Sequence, residues 1–144
     1  MNKWNVETNT RFLKSNAVER LYQGAGVLLD PVLTKKADFI DQLFGQGRYG
    51  FFVYEGQQLI GMARVFSDDV LRSWVAETVV LSDFQGQGVE QALSETIQKR
   101  FKHTTLFTDV APSGEVMQQD AYEAGKRAEA IGSSAHNSLS AYLR

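Results

Sequence analysis

The sequence contains no cysteine and only two histidines and two prolines among its 144 residues. Without cysteine the chain forms no disulfide, binds no metal through thiolates and uses no cysteine nucleophile. Two histidines also exclude a histidine-rich metal site, so we expect no bound metal. The absence of cysteine is compatible with a reducing compartment.

Long apolar runs are absent as well. No segment approaches the roughly 20 apolar residues that a membrane-spanning helix needs. The first residues, Met1–Lys14, lack the apolar core of a secretory signal. The formal net charge is −2, which provides no bulk attraction for nucleic acid. We therefore expect a cytoplasmic protein that binds neither membranes nor nucleic acid.

The composition is that of one globular domain. Hydrophobic residues make up 43% and charged residues 22% of the chain, which is ordinary globular usage and excludes global disorder. No repeat, low-complexity tract or linker divides the sequence. We predict a single domain over residues 1–144, a size that suits one hydrophobic core.

Two helices are predicted in the first third of the chain. Asn16 and Glu19 have the spacing of a capping box at a helix start. Asp30-Pro31 is typical of the start of a second helix, with proline at its first position. Apolar residues at helical spacing continue this second helix to Phe44, and glycines follow it.

Strand patterns surround these helices. Alternation over Trp4–Thr8 predicts a short first strand. Three apolar segments joined by short turn signals predict a β-meander: Phe51–Tyr54, Leu59–Phe66 and Val70–Leu81.

The remaining pattern is a helix from Val89 to Phe101, a strand over His103–Val110 and a helix from Met117 to Ile131. A meander followed by a strand that returns across a helix predicts an α/β fold. Its central sheet is mixed and mostly antiparallel, and helices flank it.

Two glycine clusters are candidate phosphate loops. Gly45–Gly50 has the spacing GxGxxG, but it follows a helix and leads into a strand, whereas a dinucleotide loop follows a strand and opens a helix. We interpret it as a helix stop and loop. Gln85–Gly88 does lie between a strand and a helix, where glycine amides and a helix N-terminus can bind an anion. From composition alone, a plain glycine-rich connection is an equal alternative.

At these residues the chain resembles the GCN5-related N-acetyltransferases (the GNAT superfamily). The resemblance covers most of residues 15–110, whereas the C-terminal part is atypical. There Ala121–Gly125 matches only part of the family's Tyr-x-x-x-Gly-Phe pattern. The matching segments are Leu21–Gly26, Phe51–Val53, Leu59–Asp68, Glu77–Leu81 and Asp83–Leu93.

The resemblance implies a binding site for acetyl-CoA. Gln85–Gly88 would bind the pyrophosphate, and the strand before it would offer main-chain groups to the pantetheine arm. The Val80 amide would polarise the thioester carbonyl. The implied cofactor-binding residues are Thr78, Val79, Val80, Gln85, Gly86, Gln87, Gly88, Val89, Glu90 and Gln91.

The resemblance also implies two catalytic residues. Glu77 matches an acidic position that often serves as the base that deprotonates the amine. The alternative is that Glu77 faces solvent or pairs with an arginine such as Arg64. Tyr122 would protonate the departing thiolate, and its alternative is an ordinary half-buried helix tyrosine.

The implied function is N-acetyl transfer by direct attack of an amine on acetyl-CoA. The acceptor would be a small-molecule amine or a protein amine. A homodimer is one possible assembly of the protein. The alternative is a catalytically silent GNAT-like module that binds CoA or a protein partner. Two features favour this alternative. One is the incomplete C-terminal motif. The other is Glu90, which stands where the family has glycine or alanine and would repel phosphate.

Overall fold

A computed structural model of the chain describes residues 3–108, which form one five-stranded sheet with helices on both faces. The strand order is β1-β2-β3-β4-β5; the first four strands are antiparallel, and β5 is parallel to β4. The predicted mixed, mostly antiparallel sheet is therefore confirmed. The strands are β1 Val6–Glu7, β2 Arg48–Glu55, β3 Gln58–Ser67, β4 Arg72–Val80 and β5 Thr105–Thr108.

Helices cover the two faces of this sheet. The helices are α1 Ser15–Gly24, α2 Pro31–Thr34, α3 Phe39–Leu43 and α4 Val89–Arg100, with a 3-10 turn at Ser82–Phe84. One core cluster joins α1 and α3 to the sheet through residues such as Leu21 and Met62. A second joins α4 to the opposite face through residues such as Leu93 and Val65. Within residues 3–108, no helix is long and apolar enough to cross a membrane.

The predicted helix starts were partly right. Asp30 caps α2, because its side chain accepts a hydrogen bond from the Val32 amide at 2.9 Å. The capping box at Asn16 was wrong, since α1 begins after Lys14 and has no side-chain cap. Glu19 instead accepts a hydrogen bond from the Thr34 hydroxyl at 2.5 Å.

The single helix predicted after Asp30 was also wrong. The chain forms the short helices α2 and α3, with a break between Thr34 and Phe39. The Thr34 hydroxyl also donates to the carbonyl of Pro31 at 3.1 Å. A side chain that bonds back to the preceding turn weakens helix continuation, and here it also joins α2 to α1.

The predicted strands are present with small changes at their ends. β4 begins at Arg72, and not at Val70, because Asp68 accepts hydrogen bonds from the amides of Val70, Leu71 and Arg72 and so closes a turn. The segment Gly45–Gly50 is only in part the predicted loop, since Gly45 and Gly47 lie between α3 and β2 whereas Arg48–Gly50 begin β2. An isolated bridge joins Gly45 to Arg48. β5 is described to Thr108. The helix predicted from Met117 lies outside the described residues.

The position of α4 depends on one close approach to the sheet. A Cβ atom on Gly61 of β3 would lie 2.6 Å from Cγ1 of Val89, the first residue of α4. Both Val89 and its neighbour Leu93 are fully buried. The missing side chain at Gly61 therefore allows the first turn of α4 to pack directly on the strand.

The other end of α4 is fixed by ion pairs. Arg100 makes two hydrogen bonds to the carboxylate of Asp69, at 2.9 and 2.8 Å, and the His103 ring lies 2.8 Å from the same carboxylate. Asp69 follows β3 and has a left-handed φ of 58°. The Arg100 guanidinium, aided by His103, lowers the pKa of Asp69 to about 2. The carboxylate thus stays charged and joins the β3–β4 turn to α4.

We expect Gly61→Ala to destabilise the protein by about 1–3 kcal/mol, because overpacking forces neighbouring side chains to move. Chemical unfolding monitored by circular dichroism measures this loss. Gly45→Ala is the matched control, since the nearest atom to its Cβ is the flexible guanidinium of Arg48 at 3.0 Å. Equal stability of the two variants would contradict the role assigned to Gly61.

Candidate acyl-transfer site

The site begins at a bulge in the middle of β4. Arg64 of β3 pairs with Glu77, whereas the next residue, Val65, pairs with Val75. Ala76 is therefore an extra residue in β4. A bulge bends its strand and redirects the residues after it, so the second half of β4 leaves the direction set by the first half.

Beyond the bulge, β4 has a free outer edge within the described residues. Its parallel pairing with β5 is described as far as Val75 and Thr108, the last described residue, and no other strand among residues 3–108 pairs with this edge. The Leu81 amide donates to the carbonyl of Ile60 on β3. In an antiparallel ladder the preceding main-chain groups then alternate in direction. The groups of Val80 and Thr78 point outward, while those of Val79 point toward β3.

The loop after β4 has the backbone expected of an anion site. Gly86 and Gly88 have φ values of 78° and 91°. Residues with a side chain rarely adopt this left-handed backbone conformation. A Cβ at Gly86 would meet nothing within 4 Å, so one side of the loop is open. Within residues 3–108 we find no acceptor for the amides of Gly88, Val89 and Glu90. Such amides at a helix start attract anions.

Two glutamine side chains hold the loop from within. The Gln85 side chain donates to the carbonyl of Val80 at 3.1 Å, and that of Gln87 donates to the carbonyl of Asp83 at 2.7 Å. The side-chain amide groups of both glutamines are therefore hydrogen-bonded to the protein main chain. In this structure the two glutamines shape the loop, while the glycines and the helix start supply its open face.

Glu90 lies against the loop as a carboxylate. Its Oε2 accepts a hydrogen bond from the Gly86 amide at 3.2 Å. The predicted proximity of this negative charge to the loop is thus present in the structure. The carboxylate occupies a donor that a phosphate could use, and it adds a negative charge beside the remaining donors.

On the face of the sheet that carries α1, Glu77 is the centre of a polar cluster. Its Oε2 accepts hydrogen bonds from Nε of Arg64, at 2.5 Å, and from the hydroxyl of Tyr22. The alternative interpretation, an ion pair with Arg64, therefore describes the contact correctly. The side chains of Glu77 and Arg64 are 21% and 20% exposed, so the pair lies at the border between core and solvent.

Tyr22 is the buried member of this cluster. Burial raises the pKa of its phenol, and the neighbouring Glu77 carboxylate raises it further. The phenol therefore stays protonated and donates to the carboxylate. Because both contacts use Oε2, the other carboxylate oxygen has no hydrogen-bond partner within residues 3–108.

The structure brings together most of the predicted site residues, on β4 and the segment that follows it. Glu77, Thr78 and Val80 lie just before the loop Gln85–Gly88, and Val89–Gln91 open α4. Tyr122 lies outside the described residues.

Two polar contacts of the site were not predicted. The signal for Tyr22 was its position beside Leu21 on the buried face of α1, where a hydroxyl needs a partner. The contact between Trp4 and the loop spans 83 residues and left no local signal.

Comparison with known proteins agrees with this geometry. The sequence model of the acetyltransferase (GNAT) family matches residues 15–125. This is most of the chain, and the protein belongs to the GNAT acetyltransferase family. Its class is therefore that of the acyltransferases.

Solved structures show the same fold at low sequence identity. A GNAT-family acetyltransferase from Streptococcus pneumoniae TIGR4 is 17% identical, with 86% of each chain covered and a TM-score of 0.60. The ribosomal-protein-S18-alanine N-acetyltransferase from Escherichia coli is 17% identical, with 84% of this chain and 75% of that chain covered and a TM-score of 0.61. AAC(6')-Iy in complex with the bisubstrate analog CoA-S-monomethyl-acetylneamine is 14% identical, covering 85% of this chain and 89% of that chain, with a TM-score of 0.60.

The buried phenol makes stability depend on pH in the alkaline range. Its pKa in the folded state is raised, so this contribution is complete below the unfolded value of about 10 and is lost at higher pH. Tyr22→Phe should cost about 0.5–1.5 kcal/mol near neutrality through the lost hydrogen bond. We expect the difference in the free energy of unfolding between the wild type and the variant to become smaller above about pH 10.

Urea unfolding at a series of pH values measures this difference. Ultraviolet titration of the folded proteins counts the tyrosines that stay protonated at alkaline pH. Tyr22→Phe should have one such tyrosine fewer than the wild type. A difference that is independent of pH would contradict the assignment.

Proposed function

We propose that the protein transfers an acetyl group from acetyl-CoA to an amine by direct attack of the amine on the thioester. One observation carries the proposal. An open loop at the start of α4 directly follows a strand whose outer edge beyond Val75 has no paired strand among residues 3–108, and a carboxylate lies on that strand. Family membership supplies the reaction class, and these residues supply the parts that the reaction needs.

The loop fits the pyrophosphate of CoA. The amides of Gly88, Val89 and Glu90 are the donors, and the partial positive charge of the helix N-terminus assists them. Gln85 and Gln87 hold the loop, and Gln91 lies one turn into the helix. The outward main-chain groups of β4 then offer hydrogen bonds to the pantetheine arm, as an added strand would.

The direction of the β4 main chain supports these contacts. The groups of Thr78 and the Val80 amide point to the edge that no strand among residues 3–108 covers, while the Val80 carbonyl accepts a hydrogen bond from Gln85. The main-chain groups of Val79 point toward β3, and its side chain is buried. The thioester supplies an activated acetyl carbonyl. We assign the Val80 amide to the carbonyl oxygen, where a fixed donor stabilises the negative charge that develops during attack.

Glu77 is the proposed base. An alkylammonium has a pKa near 10 and must lose a proton before it can attack. The Glu77 carboxylate accepts that proton directly or through a water molecule, while Arg64 and Tyr22 hold it in place. The amine nitrogen then bonds to the acetyl carbon, the carbon–sulfur bond breaks, and the thiolate takes a proton. Tyr122 remains our proposed donor of that last proton.

The acceptor is an amine on a small molecule or on a protein. The names of two structural neighbours point to both kinds, a ribosomal-protein alanine and an acetylneamine group. The described residues of this chain do not distinguish a small-molecule acceptor from a protein acceptor. The cytoplasmic location, the single domain over residues 1–144 and the homodimer also stay predictions.

Binding of acetyl-CoA and turnover test the proposal together. At 100 times its dissociation constant, a ligand adds about 2.7 kcal/mol to stability, so acetyl-CoA should raise the melting temperature clearly. A panel of amines should then release free CoA, measured with a thiol reagent. Glu77→Gln should lower turnover about 10²- to 10⁴-fold, most strongly near neutral pH. Glu55→Gln, at the exposed end of β2, is the matched control.

The outcomes separate the two functional hypotheses. No thermal shift at millimolar acetyl-CoA would contradict the cofactor site and the catalytic proposal. A shift without turnover across the panel would favour the silent module, for which the Glu90 contact to the loop is the supporting observation. An unchanged pH profile in Glu77→Gln would remove Glu77 from the mechanism.

Removing the Glu90 carboxylate should tighten CoA binding. Glu90→Ala frees the Gly86 amide and removes a like charge. Repulsion between two charges about 4 Å apart is about 1 kcal/mol when water screens them fully, which is about fivefold in affinity. The gain should shrink as salt is added, because salt screens the repulsion. Calorimetric titration measures both effects, with Asp41→Ala, at an exposed carboxylate of α3, as the control for loss of a helix carboxylate. Unchanged or weaker binding would show that Glu90 does not oppose the phosphate.

A further inference from the structure

The N-terminal segment reaches the anion loop through one tryptophan. Trp4 precedes β1, which pairs along the edge of β2. Its indole Nε1 donates a hydrogen bond to the main-chain carbonyl of Gln87 at 2.9 Å. The indole also packs edge-to-face on Phe84, with ring centroids 5.9 Å apart and planes at 80°. Trp4 thus contacts both the 3-10 turn before the loop and the loop itself.

This hydrogen bond acts on the peptide unit that joins Gln87 to Gly88. The unit is trans and planar, so its carbonyl and its N–H point in opposite directions. Fixing the Gln87 carbonyl toward Trp4 therefore turns the Gly88 N–H to the other side of the loop. Within residues 3–108 that N–H has no acceptor, which suits a donor kept for a bound anion.

The other contacts of the loop do not control this peptide unit. The Gln85 and Gln87 side chains bond to carbonyls outside the loop, and the Glu90 carboxylate bonds to the Gly86 amide. Among the described residues, the indole is the donor that we find on the Gln87 carbonyl. Gly88 has a left-handed φ of 91° and no side chain, so its peptide unit would rotate easily without this contact.

We infer that Trp4 is a positioning residue for coenzyme A binding, which aims the Gly88 amide at the pyrophosphate. This inference rests on the proposed function, because the ligand of the loop is CoA. It adds a role for the N-terminal segment. The acetyl group and the base on β4 lie beyond its direct contacts, so Trp4 affects affinity for CoA and leaves the chemical step unchanged.

Trp4→Phe tests the inference, because phenylalanine keeps an aromatic ring beside Phe84 and removes the N–H. We expect the dissociation constant for CoA to rise about three- to tenfold, the value of one hydrogen bond. The turnover number at saturating acetyl-CoA should stay at the wild-type value. Trp74→Phe, which changes the other tryptophan of the chain, is the matched control and should bind CoA as wild type does.

The control variant also provides a spectroscopic signal. In Trp74→Phe the remaining tryptophan is Trp4, and its fluorescence should change on addition of CoA, since the ligand binds the loop that it contacts. If Trp4→Phe loses stability, replacement of Trp4 by 3-benzothienylalanine keeps the ring shape and removes only the donor. The same rise in the dissociation constant is expected there.

Three results would overturn the inference. Wild-type affinity for CoA in the variant would show that the indole does not aim the amide, and the proposed function would stand. A fall in turnover number at saturating acetyl-CoA would show a broader structural effect. Absence of CoA binding in the wild-type protein would refute the proposed function itself, and with it the ligand of this inference.

Discussion

The close packing of the first turn of α4 on Gly61 is the contact on which the site depends. Because Gly61 has no side chain, Val89 lies directly against β3 and the helix starts immediately beside the sheet. The loop between β4 and α4 must then turn within a few residues, and the left-handed glycines Gly86 and Gly88 allow this. The amides at the helix start are consequently held beside the end of β4. A larger residue at Gly61 would move this whole anion site relative to the strand.

The two faces of the sheet carry different parts of the site. The α4 face positions the anion loop, whereas the α1 face holds Glu77 between Arg64 and the buried phenol of Tyr22. The bulge at Ala76 lies immediately before the carboxylate and redirects the part of β4 that leads to the loop. The loop and the Glu77 cluster, to which we assign binding and proton acceptance in the proposed function, thus lie on opposite faces of the sheet. Rigid elements support both, as an accurate site requires.

Local patterns in the sequence predicted the elements that local physics determines. The apolar segment from Leu59 to Phe66, which follows a turn signal, predicts β3, and the glycines between a strand and a helix predict the loop at Gln85–Gly88. Glu19 was expected to cap the start of α1, but its carboxylate accepts a hydrogen bond from the Thr34 hydroxyl. The second helix, predicted to continue to Phe44, is interrupted after Thr34. The contacts of Tyr22 with Glu77 and of Trp4 with Gln87 span 55 and 83 residues. Only the packed sheet brings such residues together, so no spacing rule finds them.

Amide chemical shifts in a titration with CoA test the central claim most directly. The account predicts that the largest changes occur at Gly86, Gly88, Val89 and Glu90, the amides of the loop and the helix start. A cavity of about 600 Å³ between α1 and the β2–β3 hairpin, lined by residues such as Asn16 and Gln57, provides the internal comparison. Its amides should stay unchanged. Saturable binding that shifts the amides of this cavity and leaves the loop unmoved would contradict the account.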